Sequence, residues 1–584
     1  MTIAASPTAY HAIPSALGLL DEAMFANAFR EKGLTLTAIN APLPLSEKEH
    51  ASSNAFSQQS MSSTFVAMCA VLGLSIASAM LTPTLVRERT LGFKHALLCA
   101  GLSSKVYWLG TLTFDLITKI FPALLLSFIM CLALREDEVD VSSIRYAETL
   151  LLASIAFAFQ ATPIAYLSSL YFAEDVSSFA TQAAGSFSVA VLSFIAAVVL
   201  DGLALAGEDV SKVWNVVSIL FCASPQYSFA RMFYNLSRRE HAIARFEENS
   251  EGEEKEGLGF SIVLTDTKTF LEWENSGREL ILMFAFGLFY WFAFVALEWR
   301  AAKRIKNTFE KDTREDECDA NDGALTVMKL KKQYRKDQAP SVDSISFKVS
   351  AKEAFALCGI NGAGKTTSFA MLSGLLPKTN GRVHWASANT SFGYCAQTNG
   401  VEDFLTPLEH LDLFASVVTS ATSSSSTSSV WCERFQSLQK HKTVLAKNLS
   451  GGAKRELCVA IALSVAEASK QTSSPSHQYP SLVLLDEPTA GVDPYAKTKL
   501  WKAVETVMRS GLGAAVVITS HDIFESEKVC ASVGLLRNGK FLLCGNTSDI
   551  KKEFSNDALS LSSLEDVFIA VVEREEALEC LSQS

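Results

Sequence analysis

The chain has 584 residues, 49% of them hydrophobic, and its mean hydropathy of +0.20 is too high for an ordinary soluble protein and too low for one lying wholly in lipid. Its net charge of −11 supplies no basic footprint, which excludes nucleic acid as a partner. Twelve cysteines fall singly with no paired spacing, which excludes both a disulfide framework and a zinc site.

Residues 1–60 show no basic stretch followed by an apolar one, so nothing there reads as a signal peptide. Four runs, 61–86, 106–134, 147–172 and 176–200, are long enough to span a bilayer. A fifth, LILMFAFGLFYWFAFVAL at 280–297, is shorter but intensely apolar, with Trp299 and Arg300 as interfacial anchors. A further uncharged stretch, 213–230, is interrupted by Pro225. Loop charge decides the count. The basic stretch Arg300, Lys303, Arg304 and Lys306 should face the cytoplasm, and five spans put the 87–105 loop, with Arg87, Arg89, Lys94 and Lys105, on that side too. The acidic 135–145 loop then faces outward. A sixth span would invert both assignments, so 213–230 reads as a re-entrant or interfacial hairpin. Five spans also leave residues 1–60 outside with no visible means of crossing, and the expectation is a preceding helix in a longer chain. Asp115 and Lys119 sit four residues apart on one face of the second run. They read either as a mutually paired or snorkelling couple near the interface, or as groups for coupling or substrate passage.

A charged linker, 301–323, leads into a second half patterned as an α/β domain. EAFALCGINGAGKTTSFAML contains G-x-x-x-x-G-K-[ST] at Gly359, Gly364, Lys365 and Thr366, after a short apolar run and before a helical pattern. That is the strand–loop–helix context of a phosphate loop. Its glycines let backbone N–H groups face phosphates, Lys365 reaches the β and γ groups, and the Thr366 hydroxyl can bind Mg2+. The nucleotide set read here is Gly359, Asn361, Gly362, Ala363, Gly364, Lys365, Thr366 and Thr367. In SLVLLDEPTAGVD, 481–493, a buried strand ends on Asp486 and Glu487, where α/β sheets place ligands. Asp486 would support Mg2+ and Glu487 could polarise an attacking water. Leu449-Ser450-Gly451-Gly452 offers a hydroxyl, backbone N–H groups and a helix start to an anion.

The phosphate loop, LSGGAKRE, LLDEP, AGVD and ITSHD occur in that order, and over about 324–548 the chain resembles the nucleotide-binding domain of an ABC transporter. The fold implied is an α-helical transmembrane domain (61–300, after an exterior segment 1–60), then an α/β P-loop ATPase domain (324–548) and a tail (549–584). By resemblance Tyr334 would stack on adenine, although an exposed strand tyrosine is the plainer reading of it. Gln397 would link Mg2+ and water to the membrane domain, Glu487 would be the catalytic base, Asp493 the inter-domain loop acid and His521 the switch histidine on the γ-phosphate. Leu449, Ser450, Gly451 and Gly452 would contact ATP held by another cassette. One copy therefore implies a second half: a homodimer, a heterodimer or the other half of a longer chain. ATP and Mg2+ are the implied cofactors.

FGYCAQTNGVEDFLTPLEHLDLFA, SLEDVF at 563–568 and the 87–105 loop are similar to subfamily A, whose members are lipid-associated, although Ala396 stands where proline is usual. AYHAIPSALGLLDEAMF resembles the end of that subfamily's exterior domain. The Ser/Thr run at 419–429 and KQTSSPSHQYP at 470–480 read as disordered insertions. The implied function is ATP-driven movement of an amphipathic substrate, with membrane lipid as a partner. Export of drugs or other apolar small molecules, or an ATP-driven regulator that moves nothing, remain open alternatives.

The charge asymmetry predicts that Asn235-Leu236-Ser237 faces outward and accepts a glycan, with the ATPase domain cytoplasmic. Protease protection in sealed vesicles checks this: a tag near Asn40 should lie on the opposite side from a C-terminal tag, and same-side tags would overturn the topology.

Overall fold

The computed structural model describes residues 64–65, 67–133, 141–204, 208–235, 277–310, 324–335, 337–385, 392–419, 425–472, 480–510, 513–555 and 563–583. Residues 70–232 with 261–584 form one unit, to which the following refers; 1–69 with 233–260 form another. The exterior segment 1–60, most of the acidic loop, Leu236-Ser237 and 473–479 lie outside the described residues.

Among the described residues, four helical stretches are long and apolar enough to cross a membrane: Ala67–Leu91 (α1), Glu148–Ser169, Asp175–Leu200 and Arg278–Arg300. The first is followed by a short helix, Phe93–Cys99 (α2), and by Ser104–Ala133 (α3), which covers the second expected run. The other three belong to longer helices, Val141–Ser169 (α4), Asp175–Ala204 (α5) and Arg278–Glu310 (α8). Between α5 and α8, Glu208–Phe221 (α6) ends at a turn, and Pro225 opens a helix over 225–235 (α7). Proline fits a first helical turn because its missing N–H is not needed there. The turn carbonyls of α6 are answered by side chains: Gln160 Nε2 donates to Cys222 O (2.9 Å) and Ala223 O (3.2 Å), and the Tyr290 hydroxyl donates to Ala223 O (3.1 Å). Asp115 is buried and accepts from the Tyr166 hydroxyl at 2.7 Å; the Lys119 side chain is outside the described residues.

The α1 helix runs past the apolar segment through Arg87 and Arg89, then stops at Gly92, whose φ of +80° is a left-handed cap that β-carbon-bearing residues resist. The cap turns the chain into α2, which is seated in the second half of the protein. Phe93 lies edge-on to His410 and Phe414, with centroids 6.1 and 5.9 Å away, and His95 lies edge-on to Tyr394 at 4.9 Å. Backbone and side chain add to this: Phe392 N donates to Cys99 O (3.0 Å) and Thr398 Oγ1 to Leu91 O (2.9 Å). Arg87 pairs with Asp403, which also faces Lys454 Nζ at 3.7 Å. Burying Phe93 contributes about 1.5–3 kcal/mol, against at most ~1 kcal/mol for a partly exposed ion pair. Apolar burial holds the junction, and the charges give it register.

In the second half, Leu325–Lys332 (β1), Val342–Val349 (β2) and Asn380–Trp385 (β4) form an antiparallel sheet in the order β2-β1-β4. Ala354–Gly359 (β3), Gly393–Cys395 (β5), Ser481–Asp486 (β6), Ala514–Ser520 (β7), Ser532–Arg537 (β8) and Lys540–Asn546 (β9) form a six-stranded sheet. Its order is β5-β6-β7-β3-β8-β9, parallel except for β9. β6 and β7 are buried along their whole length, as continuous apolar runs in a covered parallel sheet should be. Alternate residues face opposite layers. Ala356, Cys358, Val483 and Leu485 point into a core with the helix Gly451–Thr472 (α13), and Phe355, Leu357, Leu482 and Leu484 point towards the antiparallel sheet and Lys365–Leu372 (α9). Phe93, Leu97 and Ala100 belong to the first of these cores.

One sequence expectation is corrected here, and two segments gain detail. The linker 301–323 begins as helix, because α8 continues to Glu310. The expected disordered run 419–429 instead enters, from Ser425, the helix Ser425–Arg434 (α11), which follows Pro407–Thr419 (α10); Ser428 donates to Asp412, and Trp431 and Cys432 are buried. Tertiary burial here outweighs weak helix propensity. Within the tail 549–584, Ile550, Leu564 and Val567 are buried in the main core, and the last helix is Leu564–Gln583 (α17).

Burial pushes the His95 imidazole down to about 4, offset only in part by a backbone hydrogen bond at Ser373. The folded pKa lies below the ordinary 6.5, so this stabilisation is complete above about pH 6.5 and is lost as pH falls towards 4. Thermal midpoints measured between pH 7 and 4.5 should fall, and His95→Asn should remove part of that fall.

Candidate nucleotide-binding site

The carboxyl ends of β3, β6 and β7 converge because β7 lies between the other two. β3 runs into the loop Ile360–Gly364 and then α9, whose N-terminal cap is Gly364. Gly364 has φ +103°, and a β-carbon there would stand 2.4 Å from Ser341 O, so only glycine closes this turn. Lys365 is buried, 7% exposed, and its Nζ donates to the loop's own carbonyls at Gly359 (2.6 Å) and Ile360 (3.0 Å). Desolvation lowers its pKa, opposed by Glu487 and Asp486. The ammonium is thus stored inside the loop, where an anion would find it among backbone N–H groups. Asn361, Gly362 and Thr366 are exposed, Thr367 is half-buried and Ala363 is buried.

At the end of β6, Asp486 is buried and accepts from the Thr519 hydroxyl on β7. Desolvation raises its pKa, against the lowering influence of Thr519, Arg455 and Lys365. A buried carboxylate with a hydroxyl partner at the end of β6 and an exposed threonine hydroxyl in the first turn of α9 are hard oxygen donors of the kind that suits Mg2+. Among the described residues no three His, Cys, Asp or Glu form a metal cage, and Mg2+ usually keeps waters and substrate phosphates as its other ligands. Asp486 and Thr366 are the residues that would hold it.

Glu487 has φ +47°, an unusual value for a residue with a β-carbon. Its N–H is held by Thr519 O (3.1 Å) and Thr519 Oγ1 (3.0 Å). The carboxylate is 18% exposed and lies 3.5 Å from Nδ1 of His521, which is 64% exposed just beyond β7. An acid and an imidazole side by side at the rim can orient a water and contact a phosphate.

Gln397 is exposed just beyond β5, and its carbonyl accepts from Arg455 NH1 at 3.1 Å. Asp493 caps Pro494–Arg509 (α14), accepting from Ala496 N at 3.0 Å. Tyr334 is 58% exposed beyond β1, with Lys332 Nζ 5.3 Å from its ring centre. Leu449 is buried, whereas Ser450 and Gly451 are exposed; Ser450 Oγ accepts from Ala453 N at 3.2 Å. The structure therefore joins Lys365, Asp486, Glu487 and His521 at one end of the sheet, and places Gln397 next to them through Arg455. The exposed start of α13 bonds to its own helix and leaves its outward face open. Sequence reading missed Arg455 and Thr519. Arg455 stands between Lys454 and Glu456, so nothing local in the sequence separates it from a surface charge.

A set of membrane-length helices joined through α2 to a phosphate-loop cassette with a signature helix defines an ABC transporter. The chain belongs to the ABC-2 family of transporter proteins: the model described as "ABC-2 family transporter protein" matches residues 2–296, and one described as "ABC transporter" matches 342–490. It is similar to "Phospholipid-transporting ATPase ABCA7" of Homo sapiens, 27% identical over 546 residues, covering 89% of this chain and 24% of that protein. It is also similar to "Retinal-specific phospholipid-transporting ATPase ABCA4" of Bos taurus, 26% identical over 577 residues, covering 94% of this chain and 24% of that one. These relatives bear out the resemblance to subfamily A. The chain spans about a quarter of their length. The solved "Structure of ATP binding subunit of ABC transporter" is 24% identical, covering 43% of this chain and 99% of that one, with a TM-score of 0.36.

Lys365→Ala removes the loop's one ammonium. A hydrogen bond to a charged group contributes about 1.5–3 kcal/mol, so ATP affinity should fall roughly 10- to 100-fold with the fold intact. Fluorescent-nucleotide titration checks this; unchanged affinity would overturn the phosphate-loop assignment.

Proposed function

We propose that the chain is one half of an assembly that hydrolyses ATP to move an amphipathic substrate, of the lipid class, across a membrane. The observation that carries the reading is the seating of α2, part of the membrane half, in the core of the cassette beside Gln397. A change at the nucleotide is thereby felt at the foot of α1 and α3. In this reading Tyr334 stacks on adenine, the phosphate loop and Lys365 hold the phosphates, and Asp486 and Thr366 hold Mg2+, which neutralises phosphate charge when bound. Glu487 takes the proton of the attacking water, held in place by its bonds to Thr519. His521 contacts the γ-phosphate, Gln397 reports its presence to the junction, and Asp493 faces the partner cassette. Ser450, Gly451 and Gly452 close the partner's site, which suits the exposure of Ser450 and Gly451. The names of the human and bovine relatives, both phospholipid-transporting ATPases, support phospholipid as the cargo. The ATPase domain and the 87–105 loop then share the cytoplasmic side.

Two measurements test this. In vesicles, the full chain should move labelled phospholipid only with ATP, and ATPase activity without flux would favour a regulator. Ser450→Arg should abolish turnover yet leave ATP binding by its own chain intact. Mixing it with Lys365→Ala should restore some turnover, because a mixed pair can assemble one sound site. Wild-type activity of Ser450→Arg alone would overturn the paired-site reading.

A further inference from the structure

We propose that Arg455 is a positioning residue that ties the signature helix to Gln397 and Glu487 of its own chain, so that engagement of a partner's nucleotide at Ser450–Gly452 is felt at this chain's own hydrolytic acid. The inference rests on the two-cassette reading above. Arg455 lies five residues beyond Ser450, about one and a half helical turns into α13, and is 1% exposed. Its guanidinium is spent entirely on backbone carbonyls. Nε donates to Glu487 O (3.1 Å), and NH2 donates to Glu487 O (2.9 Å) and Asp486 O. NH1 donates to Ala396 O (2.5 Å) and Gln397 O (3.1 Å). Among the described residues no carboxylate lies within ion-pair distance of it.

A buried cation with no carboxylate in direct contact, and only the longer-range pull of Asp486, is costly, so this arginine is poorly explained as a device for stability. A planar fork that reaches the ends of two strands at once is what it supplies, and a lysine ammonium cannot reproduce that. Gln397 follows β5, Glu487 follows β6, and both are pinned to one side chain on α13. Glu487 is then held on both sides of its left-handed backbone, its N–H by Thr519 and its carbonyl by Arg455. A rotation of α13 driven at its exposed end must drag or release these two peptides together. The orientation of the Glu487 carboxylate towards His521 follows the peptide.

The full chain in lipid vesicles, carrying Arg455→Gln or Arg455→Lys, provides the test. ATP affinity should stay within about twofold of wild type while kcat falls at least about tenfold, the pattern of a misplaced catalytic group rather than a lost ligand contact. The Hill coefficient for ATP, above one in wild type, should fall to one, and Lys should restore neither quantity. The control Glu487→Gln should lose turnover but keep cooperative ATP binding. Unchanged kcat and Hill coefficient in Arg455→Gln, with a cooperative wild type, would overturn the role of Arg455 and leave the two-cassette reading standing. A wild type with a Hill coefficient of one and turnover linear in protein concentration would overturn both. Failure of both variants to bind ATP or melt cooperatively would assign Arg455 to the core alone and also overturn the proposal.

Discussion

Thr519 sits at the middle of the cassette's chemistry, and its position depends on strand register. Its hydroxyl donates to Asp486, and its hydroxyl oxygen and carbonyl both receive the N–H of Glu487. In the sheet Thr519 is level with Asp486 on one side and with Leu357, two residues before the phosphate loop begins, on the other. Strands lie about 4.8 Å apart, so the acids and the loop are held roughly two strand spacings from each other with β7 between. Lys365 fits into that interval. A slip of one residue in β7 would turn Thr519 to the opposite face, leaving Asp486 buried without its hydroxyl. The continuous burial of β6 and β7 prevents such a slip, since every residue of each is packed.

The same sheet fixes where the membrane half meets the cassette. β5 is its edge strand, and the chain leaving β5 passes Ala396 and Gln397 before meeting the turn at Gly92. A β-carbon at Gly400 would stand 2.6 Å from Leu91 O, so the backbones approach as closely there as glycine allows. His410 completes the contact as a neutral ring: it accepts from Glu402 N through Nε2 and bonds Thr406 O through Nδ1, while its edge meets Phe93. Burial lowers its pKa, which keeps it in the form able to do both. The junction is therefore a packed, largely uncharged contact whose few ions, Arg87, Asp403 and Lys454, lie at its rim.

Much of this could be read from the residues alone. The phosphate loop, the acid pair and the apolar runs of β6 and β7 announce themselves because phosphate binding and a covered parallel sheet each demand a narrow set of residue types at fixed spacing. What escaped depends on tertiary contact. Arg455 looks like any helix arginine until the carbonyls of four residues from two other strands meet it. Ser425–Arg434 reads as a polar run, and only the burial of Trp431 and Ser428 against α10 makes it helical. The segment after 548 reads as a tail because Ile550, Leu564 and Val567 are spaced across two helices and a stretch between them, with no local pattern that points to a common core. The foot of α1 shows the same limit in another form. Charges at Arg87, Glu88 and Arg89 end the apolar run, but they do not end the helix, which stops only where Gly92 permits a left-handed turn.

The two ends of α13 have opposite character, and this asymmetry is the strongest structural argument for a neighbour. Its body carries Leu457, Val459, Ala460 and Leu463, all buried in the core shared with β6 and β7. Its first turn sends only the small Ala453 into that core. Gly451 is exposed with open space where a side chain would be, and Ser450 spends its oxygen on Ala453 N alone. Gly452 is constrained for a different reason: a β-carbon there would stand 2.9 Å from Gly491 O, in the loop that leads to Asp493. Two small residues at a helix start, one needed for close approach to the chain's own loop and one facing open space among the described residues, leave a helix N-terminus free to meet another molecule. Its N–H groups carry a partial positive charge and suit an anion brought by another molecule. A helix that closed only its own site would turn that end towards Lys365 and Asp486, yet the side chain it directs to them is Arg455, one and a half turns deeper.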